Sequence, residues 1–406
     1  MTMLRLTLAS AGVLVCAARL AAQSTFQGIG FLPAAAHYSY PLDISGDGST
    51  VAGAATDTNS AGQPVRWRQA TGVVSLGEIP GVWSLQANGE SISVSHDGSV
   101  VVGSSPGPAA REAFRWTQAT GMVGLGNLGG VPNSAAYGER CSDNGSVVVG
   151  TGDYTFGTTG ILSGEAFRWT QATGMVGLGQ MATSGLLYTS AKGCSADGSV
   201  VVGYGTTDQG WEAFRWTQAT GMVALGDHPG GAVDSAAISC TADGNTIVGW
   251  ILTDTRYEPA TWTQATGWVS LGTLPVMGLD NFAADCTPDG SVVVGACNIA
   301  YGGLQGQEFS GQAFIWDAAS GMRDIKEQLL LRDVNAVVGW SLFVAAGVSA
   351  DGTTIAGVGL NPQGEYEGWV AHLEGSSTCY PDCNGDGQLS VADFGCFQTK
   401  YVLGCP

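Results

Sequence analysis

The feature that most constrains this chain is that it repeats itself. The eleven residues AFRWTQATGMV stand at 113–123 and recur letter for letter at 166–176 and 213–223. A fixed period comes before any other reading, because a repeat fold is built from one unit that packs against its neighbours. Tryptophans mark the period as Trp67, Trp116, Trp169, Trp216, Trp262, Trp316 and Trp369. Between them an Asp/Asn-Gly step, flanked by Ser or Thr and followed by valines, recurs near Gly48, Gly98, Gly145, Gly198, Gly244, Gly290 and Gly352. Both landmarks count seven, about fifty residues apart.

Each unit holds four strand-like pieces. An apolar stretch such as ESISVS and a valine run flank the Asp-Gly step, a strong hairpin signal because Gly accepts positive φ and Asp tolerates it. EAFRW and MVGLG flank TQATG, whose Gly suits a slightly longer hairpin. Two hairpins make a four-stranded antiparallel sheet, and seven sheets of this period predict an all-β fold, a seven-bladed β-propeller. The chain ends agree with a closed ring. FQGIGFL at 26–32 reads as a lone copy of the outer strand, and GWVAHL at 368–373 as a third strand lacking that partner. Pairing the two leaves no open edge; the rival β-solenoid explains the split ends less well. Ile325, Leu329 and Leu330 have helical spacing and predict a short helix before the last blade.

The residues outside the repeats set three domains. MTMLRLTLASAGVLVCAARLAAQS has the grammar of a signal peptide over 1–23, with an apolar run too short to span a bilayer. A lipid anchor on Cys16 would want a small residue where Val15 stands. No other segment is a transmembrane candidate. The propeller is expected over 24–374 and a small Cys-rich calcium-loop–helix module over 375–406.

In that module DCNGDGQLSVAD reads as a calcium loop. Asp382, Asn384 and Asp386 supply oxygens at positions 1, 3 and 5, and Gly387 makes the turn at 6. Gln388 offers its carbonyl at 7, Ser390 sits at 9 and Asp393 closes at 12. Hard oxygens at alternate positions wrap one Ca²⁺. Phe394, Phe397 and Tyr401 space a following helix.

The repeats resemble the HAF family of extracellular repeats, built on His-Ala-Phe-x-Trp, Leu-Gly, Ser-x-Ala and Gly-x-Val-Val-Gly stretches. The resemblance covers roughly 25–374 and includes the leucine-rich insertion before Gly339 and Trp340. The chain departs at the eponymous His, which is Glu112, Glu165, Glu212 and Gln312 here. The resemblance implies export and a repeat fold, not a reaction. The tail resembles a dockerin-type calcium module, which implies attachment to a secreted or surface partner. It shows one loop where dockerins usually carry two.

Cysteines fall in two groups. Cys379, Cys383, Cys396 and Cys405 would staple a tail too small to hold a core, in any of three connectivities. Cys141, Cys194, Cys240 and Cys286 share one repeat position, filled by Ile44, Val94 and Val348 elsewhere. Exchange with Ile and Val marks a buried apolar site that Cys fills as a small hydrophobe, rather than a ring of metal ligands or a disulfide. Cys297 fits no pattern.

Catalytic signals are scarce. His37, His96, His228 and His372 have no zinc spacing, and His96 reads as a turn residue. Asp47, Asp97, Asp197, Asp243, Asp289 and Asp351 read as turn formers, and Glu112, Glu165 and Glu212 as solvated or paired with interblade arginines. No paired carboxylates or His breaking the repeat near the axis are legible. The net charge of −19 argues against a nucleic-acid partner. The variable loops, GVWSLQ with Trp83, 153–164, TTDQGW with Trp211 and 298–311, carry aromatic and amide groups suited to glycan or protein contact. The expected function is an exported, non-catalytic propeller for binding or display. Its calcium tail would hold a surface or secreted protein, cohesin-like or an envelope component. The alternatives are a structural component of the cell surface or matrix, and a secreted enzyme acting on polysaccharide.

Overall fold

The structure, a computed structural model, describes residues 23–33, 38–56, 62–80, 91–107, 111–128, 134–156, 162–228, 233–254, 256–275, 280–300 and 310–374. The expected signal peptide and the whole calcium module, including its four cysteines, lie outside them, as do Trp83, His37 and parts of the loops at 153–164 and 298–311.

Seven four-stranded antiparallel sheets form the fold, six with their strands in chain order and the last completed by the first strand of the chain. The third blade serves for all. Its inner strand Ala135–Cys141 pairs with Val147–Phe156, which pairs with Leu162–Thr170, which pairs with the outer strand Gly174–Gly177. The Asp/Asn-Gly glycines between inner and second strands all take positive φ, from 63° to 74°. The Asp or Asn side chain completes each turn: in the fourth blade Asp197 Oδ1 accepts from Ser195 Oγ at 2.8 Å and from Ser199 N at 2.9 Å.

The repeated words are a packing code. Phe167 of AFRW stands opposite Gly150 of VVVG, and a Cβ on Gly150 would run into the Tyr137 carbonyl of the inner strand. The missing side chain lets the ring lie flat on the backbone. Phe114, Phe167, Phe214 and Phe314 are fully buried, worth about 2–3 kcal/mol each. The arginine of the phrase reaches the next blade: Arg115 Nε donates to Gly145 O and Arg168 Nε to Gly198 O, both at 2.8 Å. Two expectations change here. These arginines make hydrogen bonds to turn carbonyls rather than ion pairs with the glutamates. And Trp369 is not the seventh copy of the phrase's Trp: it faces Gly357, the Phe position, and Ala371 stands at the Trp position.

The ring closes as the split ends imply. Thr25–Gly28 is the outer strand of the last blade, with Phe26 opposite Ala371 and Gly28 opposite Trp369. The insertion forms helix α1 (Ile325–Leu330), capped by Asp324 and buried through Ile325 and Leu329, then a 3-10 turn at Asn335–Val337. Trp340 beyond it meets Phe26 edge-on at 5.2 Å, so the insertion packs on the closing strand. Among the described residues, no helix is long and apolar enough to cross a membrane.

Candidate functional site

Antiparallel blades sort their loops. The Asp-Gly turns and the TQATG turns lie on one face of the ring. The strand ends that lead into the second-to-third loops and the blade-to-blade connections lie on the other. So what repeats verbatim shares one face, and what varies shares the opposite, open face.

The turns are linked to one another around the centre of their face. Backbone N–H groups of successive turns donate to the next blade: His96 to Asp143, Asp143 to Ala196, Ala196 to Ala242 and Ala242 to Pro288, each at 2.9 Å. Ala350 donates to Gly46 at 2.8 Å, and Asp47 to His96 at 3.3 Å. The one junction without such a bond follows Pro288, whose ring leaves no N–H to give. His96 is a member of this chain of turns, as expected.

Above the turns stands the column Ile44, Val94, Cys141, Cys194, Cys240, Cys286 and Val348, lining a chamber of about 100 Å³. The thiols are free, and Cys141, Cys240 and Cys286 are buried. Burial pushes the Cys194 thiol up to about 12 and the other three further. These are inert apolar fillers, as the exchange with Ile and Val implied. Cys297 is also free and buried, beside Met322. Among the described residues no group of three His, Cys, Asp or Glu side chains is placed to hold a metal ion.

The next layer is where the repeat breaks, and the sequence reading missed it. One position before the cysteine column, the seven blades carry Asp43, Ser93, Arg140, Gly193, Ser239, Asp285 and Gly347. Arg140 crosses the channel, donating to Asp43 Oδ1 at 3.3 Å and Asp285 Oδ1 at 3.2 Å. Asp43 also accepts from Ile44 N, Ser93 Oγ and Val94 N; Asp285 also accepts from Ser239 Oγ and Val348 N. Each carboxylate thereby binds the bare inner edge of the following blade. Burial pushes the Asp43 carboxyl up, opposed chiefly by Arg140. Arg140 itself is held charged: the two carboxylates outweigh its burial.

One position further out, Glu139 and Lys192 pair at 2.7 Å, and Ser91 Oγ donates to Glu139 at 2.7 Å. Consecutive residues such as Glu139 and Arg140 both reach the channel because the inner strands carry a β-bulge there, with the register skipping from Gly138 to Arg140 and from Ala191 to Gly193. The result is a blind funnel of about 260 Å³ opening to the varied face. Its charged side comes from the first four blades; Ile238, Phe282, Ala284, Val344 and Ala346 make an apolar opposite side. Aromatics stand at the same ends of the strands: Tyr188, Tyr204 and Trp211 with centroids 5.4–6.3 Å apart, and Trp250 edge-on to Tyr257 at 4.9 Å. Of the loop residues singled out from sequence, Trp211 joins this crown. The acids before AFRW do not: Glu165 caps the outer strand, accepting from Gly179 N at 2.9 Å, as Glu367 accepts from Gly30 N.

No family model and no curated protein matches the chain. Solved structures do. An oligogalacturonate lyase in complex with manganese superposes with a TM-score of 0.54 at 13% identity, over 87% of this chain and 98% of that one. The β-propeller domain of the Trilobed protease from Pyrococcus furiosus gives 0.50 at 10%, over 82% and 94%. TolB from Acinetobacter baumannii gives 0.39 at 15%, over 57% of this chain and 52% of TolB. At these identities the likeness is one of fold. The chain is a seven-bladed β-propeller.

Proposed function

We propose that this chain is an exported, non-catalytic propeller of the HAF-repeat kind that binds through its open face and is held to a surface or secreted partner by its calcium tail. The observation that carries the reading is the division of the ring. One face holds the unchanging turns, linked by turn-to-turn hydrogen bonds. The other holds the strand ends that lead into the varied stretches, the aromatic crown and the funnel. Rigid scaffolds place recognition on such loops. A non-catalytic role fits the channel carboxylates, since Asp43 and Asp285 are tied to Arg140 and to the next blade's backbone rather than left to move a proton.

The tail would bind one Ca²⁺ through Asp382, Asn384, Asp386, the Gln388 carbonyl, Ser390 and Asp393. The test is a pull-down from the native envelope with the full chain, with and without chelator. Partners retained in calcium, lost in chelator and lost in Asp382→Ala support attachment through the loop. Retention unaffected by both would remove the calcium tail from the reading.

A further inference from the structure

Two of the funnel's charges, Glu139 and Lys192, stand at a repeat position that the other blades fill with apolar residues. The internal copies are the control: at the position of Glu139 and Lys192 other blades carry Leu42, Ile92, Ile238, Ala284 and Ala346, at that of Arg140 they carry Gly, Ser or its partners Asp43 and Asp285, and all form the same four-stranded sheet. Desolvated ion pairs are poor stabilisers compared with apolar packing, so their placement calls for another reason. Counting hydrogen bonds supplies one. Arg140 uses two of its guanidinium donors, leaving about three of five. Lys192 makes one hydrogen bond, leaving about two ammonium donors. Glu139 accepts once on each oxygen, leaving a lone pair on each. The charges are already paired among themselves, so the site offers many donors and some acceptors with little net charge to neutralise. Phe282, Ile238 and Val344 add an apolar wall facing them.

A ligand that matches must be uncharged, rich in groups that both accept and donate, and apolar on one face. We infer that the funnel binds a single neutral sugar residue, its hydroxyls on Lys192, Arg140 and Glu139 and its C–H face on Phe282. This rests on the open face being the binding face, and it can fail alone: a protein partner on that face with no sugar in the funnel would leave the broader reading standing.

The test is calorimetric titration of the full chain with glucose, galactose, mannose and N-acetylglucosamine, with glucuronate and glucosamine as charged counterparts. Saturable binding of at least one neutral sugar is expected. It should weaken about tenfold or more in Lys192→Met and in Phe282→Ala, recover in part in Lys192→Arg, and be unchanged by Gln171→Lys on the turn face. Melting curves establish that each variant is folded. Three results would overturn the inference: no saturation with any neutral sugar, binding indifferent to both funnel substitutions, or a charged sugar bound more tightly than its neutral parent.

Discussion

Replacing Arg140 with Met would leave Asp43 and Asp285 in the channel without a countercharge. Removing one partner of a buried ion pair costs about 3–5 kcal/mol, and the variant should melt well below the parent. The deficit should depend on pH. Burial already raises the Asp43 carboxyl above the ordinary value of about 3.9, and removing Arg140 takes away the chief opposition to that rise. Such a group binds its proton more readily folded than unfolded, so the penalty is complete above the raised value and shrinks as pH falls through it. The gap in Tm between Arg140→Met and the parent should therefore narrow on mild acidification; a constant gap would mean the carboxylates carry no burden. The turn aspartates respond oppositely. Backbone N–H groups, then hydroxyls, hold Asp197 and Asp289 down to about 2. What they contribute is present above the ordinary carboxylate range and is lost as pH falls toward 2. The third blade shows the remedy, with Asn144 accepting from Ser142 Oγ and Ser146 N at 3.0 Å. Asp197→Asn keeps the acceptor but not the charge, so it should lower stability at neutral pH and reduce acid sensitivity, read by melting across pH. At this scale the turn chemistry was legible, because one short segment contains all its partners. Arg140 was not. Its partners are 97 and 145 residues away, and its meaning lies in a column that appears only when the copies are aligned one position before the cysteines.

The elements were the most legible level. Asp-Gly turns, the TQATG hairpins and a stray strand at each end are signals with one consistent solution. Two matters escaped. The bulge in the inner strand has no sequence signature, and it is what turns Glu139 and Arg140 to the same side. And Trp369 counted as a Trp landmark while occupying the Phe position. The closing strand is the element whose removal should be felt most widely. Phe26→Ala empties a buried site against Trp340 and Trp369, at a cost of about 3–5 kcal/mol, and should unzip the first and last blades before the rest. Hydrogen exchange would report it as early loss of protection in Tyr366–His372. Uniform loss over all blades would argue that closure is not local. The turn chain makes a companion prediction: the Asp143, Ala196 and Ala242 amides, bonded to the next blade, should exchange slowly in the parent although they sit in turns.

At the scale of the whole molecule, repetition and variation divide between two faces, and only the folded ring brings that out. Along the chain the channel residues are scattered; in space they form one funnel whose floor is Arg140 and whose walls include Lys192 and Phe282. The repeat count announced the ring, but not that its turns would be linked blade to blade or that charges would cross its channel. Binding through the open face is the central claim. Its most direct measurement is an array of glycans and envelope proteins probed with the full chain and two variants. One variant combines Lys192→Met and Phe282→Ala in the funnel; the other carries Gln171→Lys and Gln218→Lys on the turn face. The expected result is that captured ligands are lost by the first and kept by the second. Capture abolished by the turn-face pair and untouched by the funnel pair would contradict it.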